Sequence, residues 1–415
     1  MYCFSAVHLL LYNKLKLERQ VLVLELLLSK GQEEALNNII DACKRKNISC
    51  YVVGGAVRDW LLQIPPRDID ICIDAEPLEI KNYVEYEDFI YYPEFHTSTV
   101  RFKNGVEFDI IRCRGEWYSF PGALPEVYPS NLENDLFRRD FTINAIAYDL
   151  FNREIIDPCN GIKDIKNKIV RSVHKESYKE DATRIFRAVK YGCRYNFTLF
   201  DMEEIKYCIL NNSMDSISSD RYIKEVYSIC GEEKWEEMLD FCSYLGIFQL
   251  EEYDKVNVLA DLKDPDVRFL KFAYRVRDEK VLRSIINNSI INRKLKKAVL
   301  FLRTGDVRRQ LYECSDNYEI HEILKSCSYL DLVMLCFDYK LTYKVLCYLM
   351  LQEKKLELDG NYVKNTAGIQ GNKVGRVLDY IMKIKLNTGL VDDVKYFNKN
   401  LGEIIDAIEY KAGKF

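Results

Sequence analysis

The chain has 415 residues, of which 48% are hydrophobic, and a formal net charge of −4. This length allows several hydrophobic cores, so we expect three or four folded modules. The 14 Cys include no Cys-x-x-Cys pair and the 4 His are scattered, which argues against zinc modules and a disulfide framework. We therefore expect reduced thiols and a cytoplasmic protein. The negative net charge does not exclude nucleic-acid binding, which depends on local charge.

The N-terminal stretch is rich in Leu between residues 9 and 28, but charged side chains interrupt it. These charges exclude a membrane span, and the stretch lacks the basic start and the cleavage site of a secretory signal. It also has too few Arg and too many acids for a transit peptide. We expect a helical extension over residues 1–30, and a start codon set too far upstream is the alternative.

A glycine turn follows the first predicted strand. Residues 49–53 are β-branched and aromatic enough for a buried strand, and Gly54-Gly55 lets the backbone turn tightly. Residues 56–62 then predict a short helix. Backbone N–H groups at such a turn, with Arg58 beside them, can form a phosphate site.

Two acidic residues lie in the next predicted strand, residues 68–74. Side chains alternate between the faces of a strand, so Asp68 and Asp70 share one face and their carboxylates lie close together. Neighbouring unpaired carboxylates repel each other, so they usually hold a divalent cation. Oxygen ligands beside a phosphate site indicate Mg²⁺ and favour nucleotidyl transfer.

A third carboxylate fits the same site. Residues 97–102 and 106–112 predict a hairpin, in which Glu107 and Asp109 share one face of the second strand. Either acid could approach the Asp pair, and we favour Asp109 as general base or metal-assisted activator of an attacking hydroxyl. The alternative is an acid that faces solvent.

Adjacent cations precede a second polar pair. Arg138 and Arg139 can reach phosphates, and Arg139 is the better candidate by position. Asp140 and Asn144 lie four residues apart, so on a helix they would project from one face. There they could hold ribose hydroxyls. The alternative is that Asp140 caps the helix and Asn144 is solvated.

Residues 178–195 predict an amphipathic helix with a charged stripe. Asp181, Arg184 and Arg187 are spaced three residues apart and lie on one side, while apolar residues supply the packed faces. An Asp three residues before an Arg is most often a solvated ion pair of little energetic value.

Beyond residue 200 the pattern is mostly helical. Residues 293–309 are locally basic, which indicates either a solvated helix face or a track for nucleic acid. Near the C-terminus, glycine turns between residues 359 and 375 precede a helix. We predict the following modules: an N-terminal extension 1–30, a head 31–155, a helical neck 156–230, a helical body 231–350 and a helical tail 351–415.

These motifs together resemble class II tRNA nucleotidyltransferases, the family of CCA-adding, CC-adding and A-adding enzymes and bacterial poly(A) polymerases. The matching stretches, in chain order, are 54–59 with Asp68-Ile69-Asp70, 138–145, 156–158 with 161–164, and 180–188. Residues 117–125 are similar to the subgroup that holds the bacterial A-adding enzymes. The resemblance is close over residues 48–200 and looser near the C-terminus.

The resemblance implies an α+β head of the polymerase-β type, a mixed sheet with helices, followed by an all-α neck, body and tail. It implies addition of C and A from CTP and ATP to the tRNA 3′ end, with Mg²⁺ on Asp68 and Asp70. Asp181 and Arg184 would read the incoming base in place of a template, and Arg187 would hold phosphate or base. The remaining nucleotide-binding candidates are Gly54, Gly55, Arg58, Arg139, Asp140, Asn144 and Lys190.

Several alternatives stay open. The family usually has Arg at the position of Lys190, and Lys cannot make the bidentate contact of a guanidinium. Within the family the chain could be an A-adding or CC-adding enzyme or a poly(A) polymerase. Residues 114–138 are not visibly shortened, which argues against an enzyme restricted to CC. From other classes, it could be a catalytically inactive RNA-binding protein or a small-molecule nucleotidyltransferase.

Overall fold

The computed structural model describes residues 26–252 and 263–412, without the side chains of 302–304 and 410–412. Most of the predicted N-terminal extension therefore lies outside the described residues. The chain forms two compact units, one of residues up to Glu225 with Glu232–Ile247, the other of Val226–Gly231 with the residues from Phe248 onward. The five-module division stays a prediction.

The first unit opens with helix α1 and continues into a mixed sheet. Its first elements are α1 (Lys30–Lys46), β1 (Cys50–Val53), α2 (Gly55–Leu61), β2 (Asp70–Ile73), β3 (Asp88–Tyr92), β4 (Thr97–Arg101), β5 (Glu107–Arg112), β6 (Arg114–Trp117), β7 (Glu126–Pro129) and α3 (Leu132–Phe137). Strands β8 (Ala147–Asp149) and β9 (Glu154–Ile156) follow a 3₁₀ turn at Thr142–Asn144. The observed strand β2 covers only part of the strand predicted over residues 68–74, and Asp68 lies before its first residue.

The seven-stranded sheet has the order β3-β4-β5-β2-β1-β8-β9. Neighbouring strands are antiparallel except β2 and β5, which run parallel and place Asp70 opposite Asp109. The central strands bury β-branched side chains such as Val52 and Ile71 completely, which explains why they lie inside the sheet. The mixed sheet with helices confirms the predicted α+β head.

The predicted hairpin is confirmed. Strands β4 and β5 pair in antiparallel register, and the backbone of Phe102 closes the turn by hydrogen bonds with Val106 and Gly105. Gly105 has φ +80°, a conformation that glycine adopts without steric cost. Phe108 and Ile110 are buried on one face of β5, as their alternation with Glu107 and Asp109 predicts.

The helical part of the first unit follows the sheet. Its elements are α4 (Gly161–Lys166), β10 (Ile169–Val170), α5 (Ser177–Glu180), α6 (Thr183–Tyr195), β11 (Thr198–Leu199), α7 (Met202–Leu210), α8 (Ser219–Cys230), whose residues from Val226 onward belong to the second unit, and α9 (Trp235–Leu245). The continuous helix predicted over residues 178–195 is wrong. Two helices form instead, because Asp181 has extended backbone angles, φ −141° and ψ 96°.

The second unit is helical throughout its described residues. The helices are α10 (Pro265–Arg275), α11 (Glu279–Asn287), α12 (Arg293–Thr304), α13 (Asp306–Glu313), α14 (Asn317–Leu324), α15 (Tyr329–Cys336), α16 (Tyr339–Leu351), α17 (Gly360–Ala367), α18 (Asn372–Thr388), α19 (Asp393–Lys399) and α20 (Leu401–Ala412). Two separate hydrophobic clusters stabilise them, one around Leu324 and Leu341 and one around Val377 and Phe397. The predicted helical remainder is confirmed.

No helix within residues 26–252 and 263–412 is both long and apolar enough to cross a bilayer.

Candidate active site

The glycine turn after β1 lies against an arginine. Gly54 has φ +75°, and a Cβ atom there would overlap Arg139 Nη1. Its N–H donates to the carbonyl of Ile146 at 2.9 Å, which fixes the turn on the sheet. Glycine is required at this position both for its backbone conformation and for the close approach of the guanidinium. The turn therefore holds Arg139 beside the start of α2.

The predicted acidic pair lies at the start of β2. Asp70 is half-buried as the first strand residue, while Asp68 precedes the strand and is exposed. Burial raises the pKa of Asp70, the Arg139 guanidinium lowers it, and the carboxylates of Asp109 and Asp68 raise it further, so the net shift is upward. The ionised form of Asp70 is therefore less favourable than that of an aspartate in water, and an added positive charge would stabilise it.

Asp109 lies on the neighbouring strand β5. Its Oδ1 accepts a hydrogen bond of 2.6 Å from Thr99 Oγ1, which fixes the carboxylate. Asp109 is not among the residues that line the main cavity, whereas Asp68 and Asp70 are. In the part of the chain that the structure describes, no group of three His, Cys, Asp or Glu side chains could hold a metal ion. The site thus offers two carboxylates at the cavity and a third behind them.

This donor set fits a divalent cation of the magnesium type. Mg²⁺ is usually bound by one or two carboxylates and completes its shell with water and substrate phosphates. The raised pKa of Asp70 agrees with this, because a cation near the carboxylates would favour the ionised form of Asp70.

A buried acid that the sequence analysis missed organises both arginines of the 138–139 pair. Asp135, on α3, is fully buried and accepts hydrogen bonds from Arg138 Nη2 at 2.7 Å and from Arg139 Nη2 at 2.8 Å. Burial raises the pKa of Asp135, but the two guanidinium groups outweigh this and lower it. The spacing of three and four residues between Asp135 and the arginines is the sequence signal for this contact.

Asp140 and Asn144 come together, but not on an α-helix. Only residues Thr142–Asn144 form a 3₁₀ turn, yet Asn144 Nδ2 still donates to Asp140 Oδ1 at 2.9 Å. Arg187 Nε donates to Asp140 Oδ2 at 2.6 Å. Burial raises the pKa of Asp140, but Arg187 and the Asn144 amide outweigh it and hold the pKa at about 2. Asp140 is therefore an ionised, fully partnered acceptor.

Arg58 extends this network. Its Nη1 donates to Asn144 Oδ1, and its Nε donates to Asp59 Oδ1 at 2.9 Å. The guanidinium lies 5.0 Å from the ring centre of Tyr191 and 4.8 Å from that of Tyr195, within cation–π range. The arginine is almost fully buried, so its charge is held in one position.

Asp181 and Arg184 both face the cavity but do not pair with each other. Asp181 Oδ1 accepts from the backbone N–H of Thr183 at 3.0 Å, and its Oδ2 accepts from Arg221 Nη2 at 2.8 Å. Arg184 donates to Ser177 Oγ at 2.6 Å and to Tyr118 Oη at 3.3 Å. A solvated Asp181–Arg184 ion pair is therefore the wrong reading, because protein groups hold each side chain separately.

One cavity of about 850 Å³ collects most of the predicted residues, a volume suited to a small-molecule ligand. Those that line it are Asp68, Asp70, Gly55, Arg58, Arg139, Asp140, Asn144, Asp181, Arg184 and Arg187. The structure does not place Gly54, Asp109 or Lys190 in the lining; Lys190 Nζ instead lies 2.9 Å from Glu225 Oε2. Lining residues that the sequence analysis missed include Tyr118, Tyr191, Tyr195 and Arg221.

The basic segment of the second unit is only partly solvated. Arg293, Lys294 and Lys297 on α12 are exposed. Arg308 on α13 instead donates to Asp338 Oδ2 at 2.7 Å. A track for nucleic acid along this segment stays a prediction.

A mixed-sheet head with two carboxylates beside a glycine turn, facing an arginine-rich cavity, is the arrangement that the sequence analysis predicted for a nucleotidyltransferase head. Residues 50–171 match the family model of the poly A polymerase head domain. The predicted resemblance to tRNA nucleotidyltransferases and poly(A) polymerases is thereby confirmed.

Curated relatives carry three related names. An A-adding tRNA nucleotidyltransferase of Aquifex aeolicus is 27% identical over 82% of this chain and 45% of its own length. A CC-adding enzyme of Deinococcus radiodurans is 37% identical over 39% of this chain and 45% of its own, and a CCA-adding enzyme of Streptococcus thermophilus is 34% identical over 56% and 59%. The chain thus spans about half the length of these relatives.

Solved structures share the fold along nearly the whole chain. A CCA-adding enzyme in an apo form superposes with a TM-score of 0.74 at 21% identity, covering 91% of this chain and 96% of the other. A Thermotoga maritima CCA-adding enzyme complexed with tRNA_CCA gives 0.68 at 19%, covering 93% and 96%. At these identities the likeness establishes the fold.

Proposed function

We propose that this protein is a template-independent tRNA nucleotidyltransferase that adds C and A, from CTP and ATP, to the tRNA 3′ end and releases pyrophosphate. The observation that carries the proposal is that one cavity is lined both by Asp68 and Asp70 and by Asp181 and Arg184. The names of the relatives support it. Solved structures of similar fold include complexes with CTP, with ATP and with tRNA.

Asp68 and Asp70 would hold Mg²⁺, and Asp109 would assist from the adjacent strand. The ion would neutralise charge on the triphosphate and activate the attacking 3′-hydroxyl. Arg139, whose guanidinium is held by Asp135 and lies against Gly54, would bind phosphate oxygens. Arg58 is fixed by Asn144 and Asp59 and contributes a second immobile positive charge.

Asp181 and Arg184 would select the base. Cytosine and adenine each present an amino donor next to a ring-nitrogen acceptor on the pairing edge, whereas guanine and uracil present a carbonyl and a ring N–H. A carboxylate acceptor beside a guanidinium donor complements the first pattern and opposes the second. Asp140 and Asn144 would hold ribose hydroxyls, and Arg187 would hold phosphate or base.

Addition of A alone is the second candidate. The relatives from Aquifex aeolicus, Halalkalibacterium halodurans and Geobacter sulfurreducens are all named A-adding enzymes. Residues 117–125 resemble the subgroup that holds the bacterial A-adding enzymes, although members of that subgroup differ in specificity. The cavity itself suits either base, because C and A share the pairing pattern described above.

A primer-extension assay separates the candidates. Purified protein with Mg²⁺ is given three tRNA transcripts, ending before CCA, in C, or in CC, with CTP, ATP or both. Addition of CCA to the first transcript, followed by a stop, supports the complete CCA-adding activity. Addition of A to the CC-ended transcript alone supports the A-adding candidate. No metal-dependent incorporation on any transcript contradicts both and favours an RNA-binding protein without catalysis.

A further inference from the structure

A second cavity, of about 720 Å³, lies in the first unit between the β6–β7 hairpin and α5. Four large aromatic side chains line it while remaining substantially exposed: Trp117 at 50%, Phe120 at 65%, Tyr128 at 47% and Phe137 at 43%. Scattered exposed aromatics are ordinary on protein surfaces, but a cluster that lines one cavity indicates a binding surface. We call these four residues the aromatic cluster.

The hairpin is built to present this cluster. Strands β6 and β7 pair Gly115 with Tyr128, and a Cβ atom on Gly115 would overlap the Tyr128 ring. The absence of a side chain at Gly115 therefore lets the ring lie across the strand. Gly122, with φ +80°, shapes the loop that carries Phe120, and its N–H donates to the carbonyl of Glu180 at 2.9 Å.

The second cavity is adjacent to the proposed base-reading group. Glu116, Tyr118 and Arg138 line both cavities. Tyr118 Oη accepts from Arg184 Nη2 at 3.3 Å and donates to Glu116 Oε2 at 3.2 Å. A molecule in the second cavity would therefore contact the side chains that separate it from the incoming nucleotide.

The charged groups of the second cavity are paired within the protein. Lys179 Nζ lies 2.9 Å from Glu176, His174 lies 3.4 Å from Glu180, and Arg138 Nη1 lies 2.6 Å from Glu116. The lining thus carries both signs and is poorly suited to a chain of phosphates. Flat aromatic rings with polar groups at their margin are suited to nucleobases, because every base has a π-face for stacking.

We propose that the aromatic cluster stacks unpaired nucleobases near the 3′ end of the RNA substrate, with Phe120 as the central contact. This inference rests on the proposed function, since it names the place where part of the RNA substrate lies. The shared wall with the nucleotide cavity is the reason to assign the site to RNA rather than to another partner. Base–aromatic stacking of this kind is tolerant of sequence.

The test measures binding of a short, 5′-labelled single-stranded RNA ending in CC, by fluorescence anisotropy without nucleotide. Phe120→Ala should weaken binding roughly ten-fold, the magnitude expected when one stacked base is lost. Phe120→Tyr should bind like the unchanged protein, because the ring is kept, and Phe120→Leu should remain weak. Phe95→Ala is the matched control, since Phe95 is 58% exposed on the same unit but does not line either cavity.

A second RNA with abasic residues near its 3′ end makes the test specific for stacking. If a base lies on Phe120, removing the base and removing the ring weaken binding by similar factors, and the combination adds little. Fully additive losses, or equal binding by Phe120→Ala and Phe95→Ala, would overturn the inference. RNA binding that depends on Phe120 without metal-dependent incorporation would leave this inference standing and reject the proposed catalysis. Metal-dependent incorporation together with RNA binding that does not change in Phe120→Ala would support the proposed catalysis and reject the stacking inference.

Discussion

The two ends of the main cavity are stabilised in opposite ways. At the acidic end, Asp68 and Asp70 lie near a third carboxylate, and the pKa of Asp70 is raised, with burial as the largest cause. At the paired end, which comprises Asp140, Asp181 and Arg184, protein partners satisfy each charged group. The paired end is thus pre-organised by protein contacts, whereas an added cation would stabilise the ionised carboxylates of the acidic end.

The largest expected effect comes from the acidic end. Asp70→Asn should reduce nucleotide incorporation by about a thousand-fold or more, because a metal ligand that stabilises transition-state charge is lost. RNA binding should persist, since the fold does not depend on this carboxylate. Incorporation rates at saturating Mg²⁺ and RNA affinities measured on one preparation provide the test. Asp41→Asn, an exposed change on α1, is the control; normal incorporation by Asp70→Asn would reject the metal assignment.

A smaller and different effect is expected at the paired end. Asp181→Ala should reduce the preference for CTP and ATP over UTP and GTP by roughly ten- to a hundred-fold, the value of one good base contact. Competition between nucleotides, read as kcat/KM ratios, measures it. Arg221→Ala should reproduce part of this loss, because Arg221 donates a hydrogen bond to the Asp181 carboxylate and helps to fix its position. Unchanged selectivity in both variants would contradict the base-reading role.

The ionised state of Asp140 provides a pH test of the paired end. Its pKa of about 2 lies below the value in an unfolded chain, so its stabilisation is complete above about pH 4 and is lost as pH falls towards 2. At neutral pH the shift corresponds to roughly 2 kcal/mol in the free energy of unfolding. Urea unfolding of the protein and of Asp140→Asn should therefore differ most at neutral pH and converge in acid. A difference that is constant with pH would exclude the ionised pair with Arg187.

The smallest expected effect tests whether Asp109 has a role in catalysis. Thr99→Val keeps the side-chain shape but removes the 2.6 Å hydrogen bond to Asp109 Oδ1. If Asp109 assists catalysis, kcat should fall by roughly five-fold, which corresponds to one hydrogen bond of about 1 kcal/mol, with KM for nucleotide unchanged. Thr97→Val, on the same strand, is the matched control. An unchanged kcat would leave Asp109 with a structural role only.

Much of the acidic end could be predicted from local sequence patterns. The glycine turn, the alternation around Phe108 and the spacing of Asp68 and Asp70 are short-range signals, and each led to the observed contact or close to it. The paired end depends on long-range contacts. Arg221 is 40 residues from Asp181, and Tyr118 is 66 residues from Arg184, so no periodicity connects them.

The break between α5 and α6 shows the same limit. The amphipathic pattern has no Gly or Pro near Asp181, so it predicts one helix through this residue. The structure holds Asp181 in an extended conformation because Thr183 and Arg221 bind its carboxylate. A local pattern cannot reveal a helix end whose stabilising partner comes from elsewhere in the fold. Lys190 shows the same limit, because its partner Glu225 lies 35 residues away in the sequence.

Asp135 has a consequence for how this protein can change over evolution. One buried carboxylate binds the two arginines at positions 138 and 139, so its loss would remove a partner from both guanidinium groups at once. A neutral residue at position 135 would leave the partly buried Arg139 without the carboxylate that binds it and would leave Arg138 with Glu116 as its remaining partner. Substitutions at these three positions are therefore expected to be coupled, so that a change at one position favours a compensating change at the others.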